Sequence, residues 1–316
     1  MAVYTHLGAE DLARLIGEYD VGDLVSAKGI AEGVSNSNWL VETTRGRFIL
    51  TMYERRIDTA QLPFFLGLLD HLAARGCAVP ATIHDREGAA FRRIGGKEVA
   101  LIEFLPGVSP SKPSPAQARS AGAALARVHL AAQDFGSERA NDLAPPDTLA
   151  ILERCGEAAL ETIDPALPAI LPLARDLVAQ WPKRLPGSIM HSDLFPDNVL
   201  MLGDEVTGMI DFYFACNDAM AYDLAVTHAA WCFPGGEYDP ALGHAVVAGY
   251  ETRRELSEAE RSALPLLAKG ACLRFIASRA EDWLDTPPDA QVLRKDPMDF
   301  VHRWHFYDEA GSEAFE

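Results

Sequence analysis

The chain has 316 residues, 48% of them hydrophobic, and a formal net charge of −18. That length exceeds the size at which a single hydrophobic core usually stops growing, so two lobes are expected, and the composition is that of a globular chain. The negative field opposes bulk binding to nucleic acid or an anionic membrane, and the apolar runs are too short and too charge-broken to span a bilayer.

The opening MAVYTHLGAEDLARLI has no basic n-region and no long apolar h-region, which points to a cytoplasmic protein. A helix is expected near residues 8–17. LVSAKGIA (24–31) reads as a strand, GVSNSN (33–38) as a polar turn, and WLVETT and RFILTMY as further strands joined by a tight Arg-Gly turn. This is an antiparallel meander, not a βαβ unit. A long helix follows over 58–76, capped by Asp58 or Thr59 and stopped by Gly76. AAFRRIGGKEVALIEFLPG then forms a hairpin across Gly95–Gly96. PGVSPSKPSP (106–115) is the clearest break in composition and divides 1–105 from 106–316.

Beyond that break the pattern is mostly helical, with helices expected over 114–133 and near 147–160, 166–181, 219–231, 240–254 and 258–284. Short strands lie between them in SIMHSDL, NVLML and VTGMIDF. The last stretch, 296–316, is ambiguous. The five cysteines, Cys77, Cys155, Cys216, Cys232 and Cys272, form no C-x-x-C pair and read as buried thiols in a reducing compartment.

Chemistry concentrates in HSDLFPDNVL (191–200) and GMIDFYFA (208–215). Taken singly, Asp and Asn are common turn residues. Taken together, Asp193, Asn198 and Asp211 can meet at one edge of a strand–loop–strand unit. Asn198 offers a neutral oxygen and Asp211 a charged one, a donor set that suits Mg2+ when phosphates and water complete the shell. Asp193 is then left to accept a proton from an attacking hydroxyl, or to orient it. A divalent cation would also relieve the repulsion between an acidic chain and a phosphate-bearing ligand.

These two segments resemble the catalytic and metal-binding segments of the aminoglycoside phosphotransferase and choline kinase superfamily. The resemblance implies an α+β, bilobal protein-kinase-like fold: a small antiparallel-sheet N-lobe with one long helix, and a larger, mostly helical C-lobe. It implies Asp193 as catalytic base, Asn198 and Asp211 as Mg2+ ligands, and ATP between the lobes. His191 is implied to fix the loop and Asp223, in YDLAVTHAAW, to brace it. EGVSNSNW sits where such kinases cover the phosphates, so Gly33, Ser35, Asn36, Ser37 and Asn38 are candidate phosphate contacts. IEFLPG resembles the hinge, where the backbone of Glu103 and Leu105 would meet adenine.

One departure stands out. The third strand of these enzymes usually carries a phosphate-pairing Lys, and here Thr51 occupies that slot. Lys28 on the first strand is an alternative cation. NWLVETTRGRFILTMYERR, YDLAVTHAAWCF and LRFIASRAEDWL are similar to the homoserine kinases built on this fold, which implies transfer of the ATP γ-phosphoryl group to L-homoserine. Arg274 is the candidate partner of the substrate carboxylate, with Arg279 close by, and Trp231, Tyr213 and Trp283 are candidate pocket walls. The alternatives are a same-fold kinase for choline, an aminoglycoside, methylthioribose or another small alcohol, and an inactive kinase-like protein that only binds nucleotide. The sequence leaves monomer and homodimer undivided.

Overall fold

Residues 7–30, 36–54, 58–287 and 294–316 are described by the structure, a computed structural model of the chain. Its amino-terminal part begins with α1 (Ala9–Ile16) and the strands β1 (Leu24–Ile30), β2 (Asn36–Thr43) and β3 (Gly46–Tyr53). Then come α2 (Leu62–Ala74), β4 (Thr82–Ile83), β5 (Arg92–Ile94) and β6 (Lys97–Glu103). The sheet order is β1-β2-β3-β6-β4, with β5 also pairing β6, and every pair is antiparallel.

Side chains alternate across this sheet with period two. One face presents Trp39, Val41, Leu50, Met52, Val99 and Leu101 to Leu12, Leu15 and Ile16 of α1. The other brings Tyr53, Ala100 and Ile102 against Leu62 and Leu66 of α2. The Gly95–Gly96 turn takes φ of 58° and 85°, the paired positive angles that a two-residue hairpin needs. The expected polar turn at 33–38 differs from what is found. β2 already starts at Asn36, because Asn36 and Asn38 pair with Tyr53 and Thr51 on β3 and the ladder overrides the weak strand preference of Asn. β4 went unread, being only two residues long.

The carboxy-terminal part starts with α3 (Pro115–Ala131), whose N-terminus carries a capping box between Ser114 and Gln117. It continues through α4 (Pro145–Cys155), α5 (Glu157–Ile163), α6 (Ile170–Gln180), β7 (Gly187–Met190), β8 (Val199–Leu202), β9 (Glu205–Met209) and β10 (Cys216–Ala219). It ends in α7 (Met220–Trp231), α8 (Pro240–Glu251), α9 (Glu258–Asp285) and α10 (Met298–Ala310). The single helix expected at 147–160 is two, split at Gly156, whose φ of 80° and ψ of 148° no helix accommodates. The ambiguous tail resolves into α10 because Phe300, Val301, Trp304 and Tyr307 share a face that buries against α9.

Two separate two-stranded antiparallel sheets, the β8–β9 hairpin and the β7–β10 pair, lie in this part. Met209 N donates to Ala78 O at 2.7 Å, and Val108 pairs with Met201, which ties the chain just past the sheet onto β8. α3 and α8 meet backbone to backbone. A Cβ on Gly249 would lie 2.0 Å from Arg119 O, and one on Gly122 2.1 Å from Val246 O. That contact brings His129 of α3 beside Tyr250 of α8. Among the described residues, no helix is long and apolar enough to cross a membrane.

Candidate active site

β7 and β10 lie side by side, and the chain leaves β7 at Met190, earlier than the expected strand through Leu194. The next three residues are His191, Ser192 and Asp193. Ser192 adopts φ 70°, a left-handed conformation that costs a side-chain-bearing residue of order 1 kcal/mol or more and persists only when its surroundings hold it. The holder is Asp223, in the first turn of α7. Its carboxylate accepts from His191 N at 2.6 Å, Ser192 N at 2.8 Å and His129 Nε2 at 2.9 Å. His129 is held in turn by the Tyr250 hydroxyl at 2.8 Å. Burial works to raise the Asp223 pKa, but the hydrogen bond and electrostatic attraction of His129 and the hydrogen bond from the Ser192 amide outweigh it. The carboxyl therefore stays below the usual carboxylate range, ionised in a site with no water-facing surface.

His191 ties the two halves of the motif together. Its Nε2 donates to Ile210 O at 2.9 Å and its Nδ1 accepts from Asp193 N at 3.2 Å. A neutral ring has one donor and one acceptor, so this pair of bonds selects one tautomer. Burial pushes the His191 pKa down and keeps the ring uncharged. Asn198 Nδ2 donates to Asp193 O at 2.8 Å, and Ile210 N donates to Asn198 O at 3.0 Å. With the amide nitrogen so engaged, the Asn198 carboxamide oxygen is the end left for a ligand.

Asp211 was expected to end a strand. β9 stops at Met209 instead, and Asp211 stands outside it with φ 67° and no hydrogen bond from its side chain to the turn that follows. Its residue surface is open, yet protein is packed closely around it. Burial, then the charges of Asp193 and Asp197, push its pKa up to about 7. A carboxylate whose pKa is raised by two acidic neighbours is suited to a metal ion. The donor set of one carboxylate and one amide oxygen fits a hard divalent cation that takes its other ligands from phosphate and water. No group of three or more His, Cys, Asp or Glu able to hold a metal occurs among the described residues.

Thr51 is buried, and its hydroxyl donates to Asn38 Oδ1 at 2.8 Å. The hydroxyls of Thr51 and Tyr53 both contact that of Tyr213, Tyr53 at 3.2 Å, which docks the segment after Asp211 onto β3. Strand register places Lys28, Asn36 and Asn38 on the same sheet face as Thr51 and Tyr53. Ser37 is on the opposite face, where its hydroxyl donates to Glu54 Oε1 at 2.7 Å, so its side chain is turned away from a phosphate contact. Gly33 and Ser35 lie outside the described residues. Leu105 makes no backbone hydrogen bond among the described residues, and its side chain packs on Gly208 of β9; the Glu103 amide is taken by Ala81 O at 2.9 Å.

Four candidate substrate contacts have other partners. Arg274, on α9, is only 2% exposed and donates to Ser192 Oγ at 2.7 Å, with Asp193 Oδ1 3.8 Å away. It lies under the loop rather than open to a ligand carboxylate. Arg279 binds Asp299 and the Asp296 carbonyl. Trp231 is buried and donates to Leu194 O at 2.8 Å, a further clamp on the loop. Trp283 stacks with Arg294. His129, Tyr250 and Ser192 had not been singled out. His129 sits in the last turn of α3, in an alanine-rich stretch with no local signal, and its partner Asp223 is 94 residues away.

The phosphotransferase enzyme family model matches residues 26–258. A homoserine kinase of Nitrobacter winogradskyi is 48% identical over 98% of this chain and 96% of its own. One of Granulibacter bethesdensis is 48% identical over 97% of each. Among solved structures, spectinomycin phosphotransferase in complex with ADP and spectinomycin superimposes with a TM-score of 0.71 at 16% identity, covering 98% of this chain and 100% of that one.

Asp223→Asn replaces a charged acceptor of three donors by an amide that can accept on one side only. It should destabilise the protein by about 3 kcal/mol at neutral pH. Because the folded pKa of Asp223 is depressed, its contribution is complete above the ordinary aspartate range near about 4 and is lost as pH falls below it. Urea unfolding across pH should therefore show a gap between the two proteins that is constant above pH of about 5 and narrows in acid. A variant as stable as the parent at pH 7 would remove Asp223 as the anchor of the loop.

Proposed function

The chain belongs to the homoserine kinases of the phosphotransferase enzyme family, and from that premise we propose how its site moves the γ-phosphoryl group of ATP to the side-chain hydroxyl of L-homoserine, a step towards threonine. The observation that supports the residue roles is the convergence of Asp193, Asn198 and Asp211 where the segment after Asp211 docks on β3.

Residues 1–105 form the nucleotide lobe, and 106–316 the catalytic and substrate lobe. Asp193, whose side chain keeps 20% of its surface open, orients the acceptor hydroxyl and takes its proton. The hydroxyl oxygen bonds to the γ-phosphorus as the bond to the bridging oxygen of ADP breaks, so ADP leaves with the electron pair. Asn198 Oδ1 and the Asp211 carboxylate hold Mg2+, which when bound offsets charge on the phosphates. Asn198 Nδ2, by gripping Asp193 O, keeps metal ligand and base in fixed register. The Glu103 carbonyl and the Leu105 amide meet the adenine edge. Asn36, at the start of β2, lies towards the phosphates.

Thr51 takes over part of the missing lysine's work indirectly. By donating to Asn38 Oδ1, it turns the Asn38 NH2 group to the cleft as a neutral phosphate donor. Lys28, exposed on the same face of β1, adds charge at longer range. A cytoplasmic setting supplies both ATP and Mg2+.

Asp193→Asn should keep ATP affinity but lower kcat with L-homoserine at least about a hundredfold; near-parental turnover would take Asp193 out of the proton transfer. L-Serine, one methylene shorter, should be a poor acceptor in the same ADP-release assay. For Asp211→Ala, calorimetry should find nucleotide affinity no longer responsive to Mg2+, and a retained response would place the metal elsewhere. Thr51→Val, which removes only the hydroxyl, should weaken ATP binding about fivefold, the effect of one hydrogen bond of about 1 kcal/mol. Unchanged affinity would leave Asn38 without its orienting partner's role.

A further inference from the structure

Arg274 is a buried cation whose placement the phosphoryl-transfer scheme leaves unexplained. It belongs to α9 and is 82 residues from Ser192 in sequence, yet its guanidinium ends against the two residues that follow His191. Nη1 donates to Ser192 Oγ at 2.7 Å, and Nη2 is 3.8 Å from Asp193 Oδ1. The guanidinium carbon is 5.2 Å from the Phe214 ring centroid and 4.9 Å from that of Phe275, so aromatic faces wall it on two sides. Only 3% of the side chain is exposed.

A desolvated guanidinium needs anionic or aromatic partners, and removing them is costly. Its planar fork fixes direction in a way that an ammonium does not. Here the fork reaches the hydroxyl of the left-handed Ser192 and the carboxylate of the adjacent base at once. Asp223 holds the backbone of this turn from one side. Arg274 is therefore set to hold its side chains from another.

We propose that Arg274 is a positioning residue for Asp193: through Ser192 Oγ and its charge beside Oδ1, it fixes the rotamer in which the carboxylate meets the acceptor hydroxyl. The proposal rests on the assignment of Asp193 as base. It replaces the direct role of Arg274 as a carboxylate clamp for the amino-acid substrate with an indirect one. The two roles separate kinetically. A positioning residue supports an interaction that matters in the transition state, so its loss lowers kcat and leaves KM. A substrate clamp contributes ground-state binding, so its loss raises KM.

The experiment compares Arg274→Lys, Arg274→Gln, Ser192→Ala and the double variant Ser192→Ala/Arg274→Gln, with steady-state kinetics for L-homoserine and calorimetric ATP binding on each. Arg274→Gln should lose about ten- to a hundredfold in kcat, the range for a hydrogen bond to a charged group. Arg274→Lys, which keeps the charge but not the fork, should recover part of that. KM for L-homoserine and affinity for ATP should stay within about twofold of the parent. Ser192→Ala removes one end of the link without opening a cavity, so it tests the idea even if the arginine variants fold poorly. It should lower kcat by a smaller factor, and the double variant should lose less than the product of the single losses. A rise in KM for L-homoserine with kcat preserved in Arg274→Gln would overturn the proposal, as would parental kcat in both Ser192→Ala and Arg274→Lys. Should Asp193→Asn itself keep full turnover, the base assignment fails first, independently of these variants.

Discussion

A buried, ionised aspartate holds the working end of this molecule in shape. Asp223 takes two successive amides of a loop bent into a left-handed turn, together with a histidine from a helix far away in sequence. The turn would otherwise relax, because a serine gains nothing locally from φ 70°. With it in place, Asp193 projects from the loop while its own amide is taken by His191. The anchor depends on a long supporting line: His129 needs Tyr250, and Tyr250 reaches it only because α3 and α8 touch at Gly122 and Gly249. Packing between α3 and α8 thus bears on the geometry of the three-residue loop His191–Asp193.

The site is built so that each polar group has one task. His191 is neutral and structural, bonded at both nitrogens and joining the Asp193 loop to the strand end before Asp211. Asn198 uses its nitrogen inward, which frees its oxygen. Asp211 makes no side-chain hydrogen bond to the turn that follows it, and the protein packed around it, with the charges of Asp193 and Asp197, raises its pKa to about 7. Such an imbalance is what a bound divalent cation corrects.

Thr51, not a lysine, stands on β3 where the segment after Asp211 packs. A lysine is a point charge that reaches phosphate directly. Thr51 instead belongs to a cluster of neutral hydroxyls with Tyr53 and Tyr213, and that cluster joins β3 to the segment following Asp211. Edge-to-face packing of Tyr213 on Tyr53 and on Phe65 of α2 strengthens the same junction. The amino-terminal sheet and α2 are therefore joined to the segment after Asp211 by packing and hydrogen bonds.

The amino-acid sequence by itself determined the elements whose signals are local. The alternating strands around Arg45–Gly46, the Gly95–Gly96 hairpin, the capped helix after Ser114 and the spacing of Asp193, Asn198 and Asp211 all lie within a few residues of their causes. It also carried the roles of His191 and Asp223 through resemblance. Tertiary structure alone decided where β2 begins, since the pairing of Asn36 and Asn38 with β3 overrides their turn-forming tendency. It decided that Ser37 faces away from Asn36 and Asn38, because strand pleating sends neighbours to opposite faces. It decided the partners of His129 and Arg274, which lie 94 and 82 residues from the groups they bind. Those contacts leave no trace at short range: hydrogen bonds and burial act between neighbours in space, and only the folded chain makes such distant residues neighbours.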